Sequence, residues 1–304
     1  MKSGLLWMAF AALMVFAACG NSASYKKTAG GMPYKIYRSS DTQMVHAGEY
    51  IKLWVTQKIN DSVTLSADHG IPVYVFIDNQ RKQSYDVSEL WTSLHIGDSL
   101  VTVQMMDTFI KRAPQNIPPQ FKKGDRVVTL IKVLATFSSD SLARADELKT
   151  RMAYLETEVK QIEKYLADKH ITAEKSPSGA FVQIIRPGEG NVIDSGKWVT
   201  MNYTGTSWSG KRFDSNTDTS FHHAQPYSFL SGSQQLIKGF DEAILMLRKG
   251  SVAKVYIPSV IGYGPSTDRP GIKAFEHLIF DVEIIDVQDK KPEAPQPKKV
   301  DTPQ

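Results

Sequence analysis

The chain of 304 residues contains one cysteine, Cys19, and this scarcity limits how the protein can be stabilised. A single thiol cannot form an intramolecular disulfide, so stability must come from hydrophobic cores. Neither sign of charge dominates, because 36 Lys and Arg residues are balanced by 32 Asp and Glu residues. A net charge of +4 without a basic cluster gives no indication of nucleic-acid binding.

The sequence also lacks the residue patterns of metal-dependent and nucleophilic enzymes. His222 and His223 are adjacent and would point to opposite sides of an extended chain, so we interpret them as a solvated loop. Residues 188–190 lack the strand, turn and helix that surround a nucleotide-binding loop. No serine has a histidine and an aspartate at a recognisable spacing. We therefore predict neither a cofactor nor a metal ion.

One long apolar run is present, at residues 5–18, and it follows Lys2. A run of roughly 15 residues is shorter than a membrane-spanning helix and is typical of a cleaved secretory signal. Small residues precede Cys19 and resemble a bacterial lipobox, although Phe16 replaces the usual aliphatic residue. We expect lipid attachment at Cys19 and a location in the cell envelope, on the periplasmic face of the outer membrane. A plain signal peptide is the alternative.

The rest of the chain divides into segments of different composition. Two strand-rich regions are separated by a long helical pattern and flanked by polar segments. We predict a signal peptide at residues 1–18, a tether at 19–34, a first domain at 35–138, a linker helix at 139–171, a second domain at 172–288 and a disordered tail at 289–304. In the first domain we predict strands at residues 50–58, 73–78, 100–106 and 127–137 and a short helix at 88–94.

The linker helix is predicted from apolar residues that recur at alternating spacings of three and four. Asp140 is the predicted N-cap of a helix at residues 141–170. Two interpretations are open: a homodimeric coiled coil through this helix, or a spacer that packs against the chain's own domains. The heptad stripe consists of Ala145, Leu148, Met152, Leu155, Val159, Ile162 and Leu166.

The two strand-rich regions have the features of a repeat. Four segments recur in the same order at offsets of 148, 153, 153 and 151 residues. This order indicates one duplicated unit, and convergent strand patterning is the alternative. The aligned pairs are residues 47–55 with 195–203, 60–62 with 213–215, 95–97 with 248–250, and 127–134 with 278–285.

Several sequence blocks in the second region carry a family resemblance. They are VTMNYTG at 199–205, GKRFDS at 210–215, QQLIKGF at 234–240, MLRKG at 246–250, GYG at 262–264 and LIFDVE at 278–283. In this order they resemble the FKBP-type peptidyl-prolyl cis-trans isomerases. The resemblance implies an α+β fold, with a twisted antiparallel sheet around a short helix at about residues 239–247. With the repeat, it predicts two FKBP-like domains joined by a long α-helix.

The resemblance also assigns roles to individual residues. It implies that Tyr203, Asp214 and Tyr263 are catalytic. Phe240 stands where many members have tryptophan, Tyr227 stands where phenylalanine is usual, and residues 265–276 match poorly. Ile272 is our placement for the apolar residue of that loop. The implied substrate-binding residues are Phe213, Tyr227, Leu236, Ile237, Phe240, Ile272 and Phe280.

The first region departs from the motifs that carry these roles. Val55 and Asn60 replace Tyr203 and Phe213 in the alignment, so we predict an FKBP-like fold without an isomerase pocket. The implied activity of the second region is cis-trans isomerisation of X-Pro bonds in unfolded or exported polypeptides that contain proline. One alternative is a holdase or assembly module with weak or no isomerase activity. Another is an adhesin-like surface lipoprotein with an isomerase remnant.

Overall fold

The computed structural model of the protein describes residues 25–60, 62–66, 70–112, 114–117, 121–266 and 271–292. The predicted signal peptide, Cys19 and most of the predicted tail lie outside these residues. Two seven-stranded antiparallel sheets are joined by one long helix, α2, which gives the predicted α+β architecture. Within the described ranges, no helix has the length and apolar character needed to cross a bilayer.

The first sheet has the strand order β1-β2-β6-β7-β3-β4, and β5 pairs with the other part of β3. Helix α1 (Met106–Arg112) follows β6, and short 3₁₀ turns at Val87–Glu89 and Trp91–Ser93 replace the predicted helix at residues 88–94. The strands are β1 (Lys26–Lys27), β2 (Pro33–Tyr37), β3 (Tyr50–Ile59), β4 (Ser62–Ser66), β5 (Val73–Phe76), β6 (Ser99–Met105) and β7 (Arg126–Phe137).

The first sheet begins within the segment predicted as a tether. Glu89 accepts hydrogen bonds from the Thr28 hydroxyl and the Gly30 N–H, each at 2.7 Å. Met32 is fully buried in the core of this domain. Polar composition alone did not reveal these contacts, because the bonds join residues about 60 positions apart in the chain. Residues 25–34 therefore belong to the first folded unit.

The second sheet repeats the topology of the first, strand for strand. Its order is β8-β9-β13-β14-β10-β11, and β12 pairs with β10 as β5 pairs with β3. Helix α3 (Lys238–Ile244) packs Phe240, Ala243 and Ile244 into the core of this sheet and ends before the predicted residue 247. The strands are β8 (Glu174–Lys175), β9 (Phe181–Arg186), β10 (Trp198–Ser207), β11 (Arg212–Ser215), β12 (Tyr227–Leu230), β13 (Val252–Ile257) and β14 (Leu278–Gln288).

The strand registers correct one detail of the repeat alignment. Asp214 lies opposite Gly205 in the β10–β11 pair, and Leu65 lies opposite Gln57 in the equivalent β3–β4 pair. Leu65 therefore occupies the strand position of Asp214, which the sequence alignment gave to Asp61. The alignment was wrong here because it implied a hairpin five residues shorter in the first domain, whereas Gln57 and Leu65 are eight positions apart and Gly205 and Asp214 are nine.

Helix α2 (Asp140–Asp168) packs against both sheets. Its N-cap is Ser139 and not Asp140, since the Ser139 hydroxyl accepts the Leu142 N–H at 3.4 Å. Near its N-terminus, Asp146 accepts hydrogen bonds from Lys52 at 2.7 Å and from Tyr74 at 2.5 Å. Three stripe residues in its C-terminal half are buried against Phe181 and Tyr256 of the second domain, namely Val159, Ile162 and Leu166.

Candidate functional site

A cavity of about 170 Å³ lies between α3 and the second sheet. Its lining is mostly aromatic and aliphatic, with Asp214 as the one acidic member. Met201 and Gln235 line it as well and were not predicted. The lining residues are Met201, Tyr203, Asp214, Tyr227, Gln235, Leu236, Ile237, Phe240, Tyr263 and Phe280.

Stacked rings form the inner wall of the cavity. Phe240 of α3 stacks on Phe280 of β14 with 4.4 Å between ring centroids, and Phe213 meets the same ring edge-on at 5.6 Å. This packing requires a glycine at position 205, because a Cβ there would lie 2.6 Å from Phe213 and 2.9 Å from Phe280. Phe213 contacts the rings of Phe280 and Tyr263 but is not among the lining residues.

Ile272 also lies outside the lining, although it was predicted to contact substrate. It is 7% exposed and packs in the core of the second domain. The turn that follows is fixed by hydrogen bonds from the Phe275 N–H to the Gly264 carbonyl at 2.7 Å and from the Lys273 N–H to Glu276 at 2.9 Å. These bonds hold residues 272–276 against the domain.

Asp214 is held at the cavity by two side chains. The Tyr203 hydroxyl donates to one carboxylate oxygen at 2.9 Å, and Nε2 of His223 lies 2.9 Å from the other. Burial and the hydrogen bond to Asp214 raise the pKa of Tyr203 well above its ordinary value. The phenol therefore stays protonated and remains a donor at physiological pH.

His223 was interpreted as a solvated loop residue, but the structure brings it to the site. The preceding residue, His222, has a φ of 61°, so the two histidines do not follow the extended backbone that was assumed. Nδ1 of His223 lies 2.8 Å from the Phe221 carbonyl, so both ring nitrogens face acceptors. The ring therefore lies between the Asp214 carboxylate and the Phe221 carbonyl.

Two buried polar side chains fix the backbone around the cavity, and neither was predicted. Asn216 accepts the Tyr203 N–H at 2.7 Å and donates to the Met201 carbonyl at 2.9 Å. Asp241 of α3 accepts the N–H groups of Gly232 at 3.0 Å and Gln234 at 3.2 Å. These bonds hold strand β10 and the loop that carries Leu236 and Ile237 into the lining.

Tyr263 follows a 3₁₀ turn, Ser259–Ile261, that is held by hydrogen bonds to helix α2. The buried carboxylate of Glu158 accepts the Ser259 hydroxyl and, at 3.0 Å, the Val260 N–H. Nδ1 of His277 lies 3.6 Å from the same carboxylate. Burial raises the pKa of Glu158 and lowers that of His277 to about 4. The linker helix is therefore in direct contact with a segment of the site.

The first sheet carries different residues at the equivalent strand positions. In the matched registers, Val55 corresponds to Tyr203, Leu65 to Asp214, and Thr129 to Phe280. The phenol, the carboxylate and the wall ring of the cavity are thus all replaced. Across the described parts of both domains, no group of three His, Cys, Asp or Glu residues is arranged to hold a metal ion.

Comparisons with known proteins identify relatives of the second domain. Residues 190–285 match the model of the FKBP-type peptidyl-prolyl cis-trans isomerase family. A peptidyl-prolyl cis-trans isomerase of Schizosaccharomyces pombe is 38% identical over 114 residues, which cover 37% of this chain and 98% of the relative. FK506-binding protein 4 of Rhizopus delemar is 34% identical over 114 residues, which cover 38% of this chain and 28% of the relative.

A third relative has also been solved as a structure. FkpA of Escherichia coli, an FKBP-type peptidyl-prolyl cis-trans isomerase, is 35% identical over 138 residues, which cover 43% of this chain and 47% of the relative. Its crystal structure superposes with a TM-score of 0.36 at 26% identity, covering 49% of this chain and 68% of that one. The matched segment is thus less than half the length of two of the three relatives.

Proposed function

Since the chain belongs to the FKBP-type peptidyl-prolyl cis-trans isomerase family, we propose that its second domain isomerises X-Pro bonds in polypeptide substrates. The observation that carries the proposal is the apolar cavity with one polar edge, where Asp214 meets Tyr203 at 2.9 Å. An apolar site of this size is suited to a proline ring and has no need of a cofactor.

The proposed mechanism is non-covalent. Rotation about a peptide bond crosses a barrier of about 18–20 kcal/mol because the twisted amide loses its resonance. The twisted carbonyl is less polar than the planar one, so an apolar site favours it relative to the ground state. Catalysis follows from this difference in binding between the two states.

Each part of the site has a proposed task in this mechanism. Phe240 and Phe280 hold the proline ring, while the backbone N–H of Ile237 and the hydroxyl of Tyr263 bind carbonyls of the substrate. Asp214 supplies the polar contact at the edge of the cavity. The protonated phenol of Tyr203 and the imidazole of His223 fix its orientation.

We further propose that the substrates are unfolded or exported polypeptides that contain proline. An exported, lipid-anchored protein is supported by the apolar run at residues 5–18 and by Cys19 after it. The first domain has the same strand order as the second but other residues at the cavity positions, which supports a role in binding or spacing and not in catalysis.

The test is the isomerisation rate of an Ala-Leu-Pro-Phe peptide, measured by NMR exchange or protease coupling with the full chain. Tyr263→Phe and Asp214→Val each remove a polar contact of the site, so we expect kcat/KM to fall about tenfold. Ile185→Ser, an exposed apolar residue on β9, is the matched control and should be neutral.

An unchanged peptide rate on adding the wild-type protein would contradict the proposal. If the protein then slowed the aggregation of an unfolded protein, a holdase would be the better description.

A further inference from the structure

A second concave site lies between helix α2 and the second domain. It has a volume of about 360 Å³, and we call it the helix groove. Its helix side is apolar apart from one arginine, and its other side comes from the turn before Tyr263 and the start of α3. The lining residues are Leu148, Arg151, Met152, Leu155, Lys238, Val260, Ile261 and Gly262.

The apolar residues of the groove are open to solvent on the helix side. Leu148 and Met152 are 61% and 63% exposed, whereas Leu155 is partly buried where the helix meets the core of the second domain. Single exposed apolar residues are common on protein surfaces. Two of them on adjacent turns, facing a cavity, form a surface that can bury an apolar group of a ligand.

The helix groove adjoins the cavity between α3 and the second sheet, in which we place the proline of the substrate. Ile237 and Tyr263 line the cavity, while their chain neighbours Lys238 and Gly262 line the groove. Consecutive Cα atoms are about 3.8 Å apart, so the two linings meet at two places in the chain, although no residue lines both. An extended chain advances about 3.3 Å per residue. A polypeptide with its proline in the cavity can therefore place a residue a few positions away in the groove.

A second copy of the chain is a poorer occupant than a substrate. Val159, Ile162 and Leu166 of the heptad stripe are already buried within the chain's own second domain. The solvent-exposed part of the stripe, from Ala145 to Met152, is about one heptad long. A coiled coil needs about three or four heptads. The open stripe is thus too short to hold a parallel pair of helices.

We propose that the helix groove binds an apolar side chain of the substrate polypeptide, a few residues away from the proline. This inference rests on the proposed isomerase function and extends it to the choice of substrate. Arg151 and Lys238 at the groove give it positive charge, so a neutral or acidic neighbour of that side chain fits better than a basic one. The linker helix then contributes to substrate binding as well as to spacing.

The test compares two kinds of peptide. One is the tetrapeptide Ala-Leu-Pro-Phe. The other is a series in which this core is extended by five Gly and Ser residues on each side, and each member of the series has Leu at a different position of the extension. With the best extended peptide, the Leu148→Ser, Met152→Ser double variant should raise KM about tenfold and leave kcat unchanged. Turnover of the tetrapeptide should not change. Leu142→Ser is the matched control, because Leu142 is 54% exposed on the same helix but outside the groove.

The outcomes separate the groove from the isomerase function. Absence of tetrapeptide turnover in the wild type would count against the isomerase, and fluorescence anisotropy of the labelled extended peptide would then test the groove directly. Equal peptide affinity in the double variant and the wild type would overturn the groove proposal. A wild-type dimer in sedimentation that dissociates in the double variant would overturn the choice of substrate as the occupant.

Discussion

Glu158 and His277 are two titratable side chains buried where the linker helix meets the second domain. Nε2 of His277 lies 3.1 Å from Oε1 of Gln161. Nδ1 of His277 has no hydrogen-bond partner in the part of the chain that the structure describes. Burial disfavours the charged form of both groups, which raises the pKa of Glu158 and lowers that of His277 to about 4.

His277 should make the protein less stable in acid. An unfolded histidine titrates near pH 6.5, so between that pH and about 4 the unfolded state binds more protons than the folded state. The free energy of unfolding should therefore fall as the pH falls, by about 2 kcal/mol at pH 5. Glu158 acts with the opposite sign, because its raised pKa lets the folded state keep a proton at higher pH.

The His277→Gln variant isolates the histidine from the effect of Glu158. Urea unfolding of the wild type and the variant at pH 7 and pH 5 should show a smaller loss of stability in the variant. Equal losses in the two proteins would contradict the assignment of this acid sensitivity to His277.

The residues of the cavity differ in how far the sequence could predict them. Tyr203, Asp214, Tyr263 and Phe280 lie in sequence blocks typical of the family, and the structure brings them together. Asn216, Asp241 and Glu158 act through hydrogen bonds to distant backbone groups, and a polar residue type does not indicate which chain segment it will meet. His223 was missed because its position depends on the left-handed backbone of His222.

At the scale of elements, the contact between α2 and the 3₁₀ turn Ser259–Ile261 joins the linker helix to the site. Glu158→Ala would leave the Val260 N–H and the Ser259 hydroxyl without this acceptor. We expect unfolding to become easier by about 1–3 kcal/mol. We also expect kcat/KM for the tetrapeptide to fall, because Tyr263 lies two residues after this turn.

Two further variants sharpen this prediction. Glu158→Gln keeps one acceptor oxygen and should have the smaller effect. Glu156→Ala removes an exposed carboxylate that pairs with Lys160 on the same helix, and it should be close to neutral. A stability loss in Glu158→Ala with unchanged kcat/KM would show that the turn does not position Tyr263.

The positions of strands in the chain were easier to predict than the register between them. Apolar alternation located β3, β6 and β7 to within a residue or two at most of their ends. The β3–β4 hairpin is different, because its register is set by the pairing between the strands and not by a matching residue type. The sequence alignment of residues 60–62 with 213–215 implied a connection five residues shorter, whereas the registers show a difference of one residue. The heptad pattern likewise predicted the helix but not how its stripe divides between core and solvent.

At the scale of the whole molecule, the described residues form two sheets of one topology, and the first sheet has Val55, Leu65 and Thr129 where the second has Tyr203, Asp214 and Phe280. We expect all of the isomerase activity to come from the second domain. A triple variant with the first-sheet residues at the equivalent positions, Tyr203→Val, Asp214→Leu and Phe280→Thr, should reduce the tetrapeptide rate to the uncatalysed value.

The single variant Asp214→Leu is a less disruptive test of the same prediction, because loss of Phe280 from the core can also destabilise the domain. Thermal unfolding of both variants would show whether the fold is retained. Activity above the uncatalysed rate in a folded triple variant would assign catalysis to the first domain as well.

The two residues through which α2 is bonded to the domains restrict how the length of the linker helix can change. Asp146 binds the first sheet, and Glu158 binds the second. These two residues are twelve positions apart, which corresponds to about 18 Å along the helix and a little over three turns. One residue added between these anchors would move them about 1.5 Å further apart and also turn one domain by about 100° around the helix axis. The length of the linker therefore sets a dihedral relation between the domains, and gradual lengthening by single residues cannot preserve it.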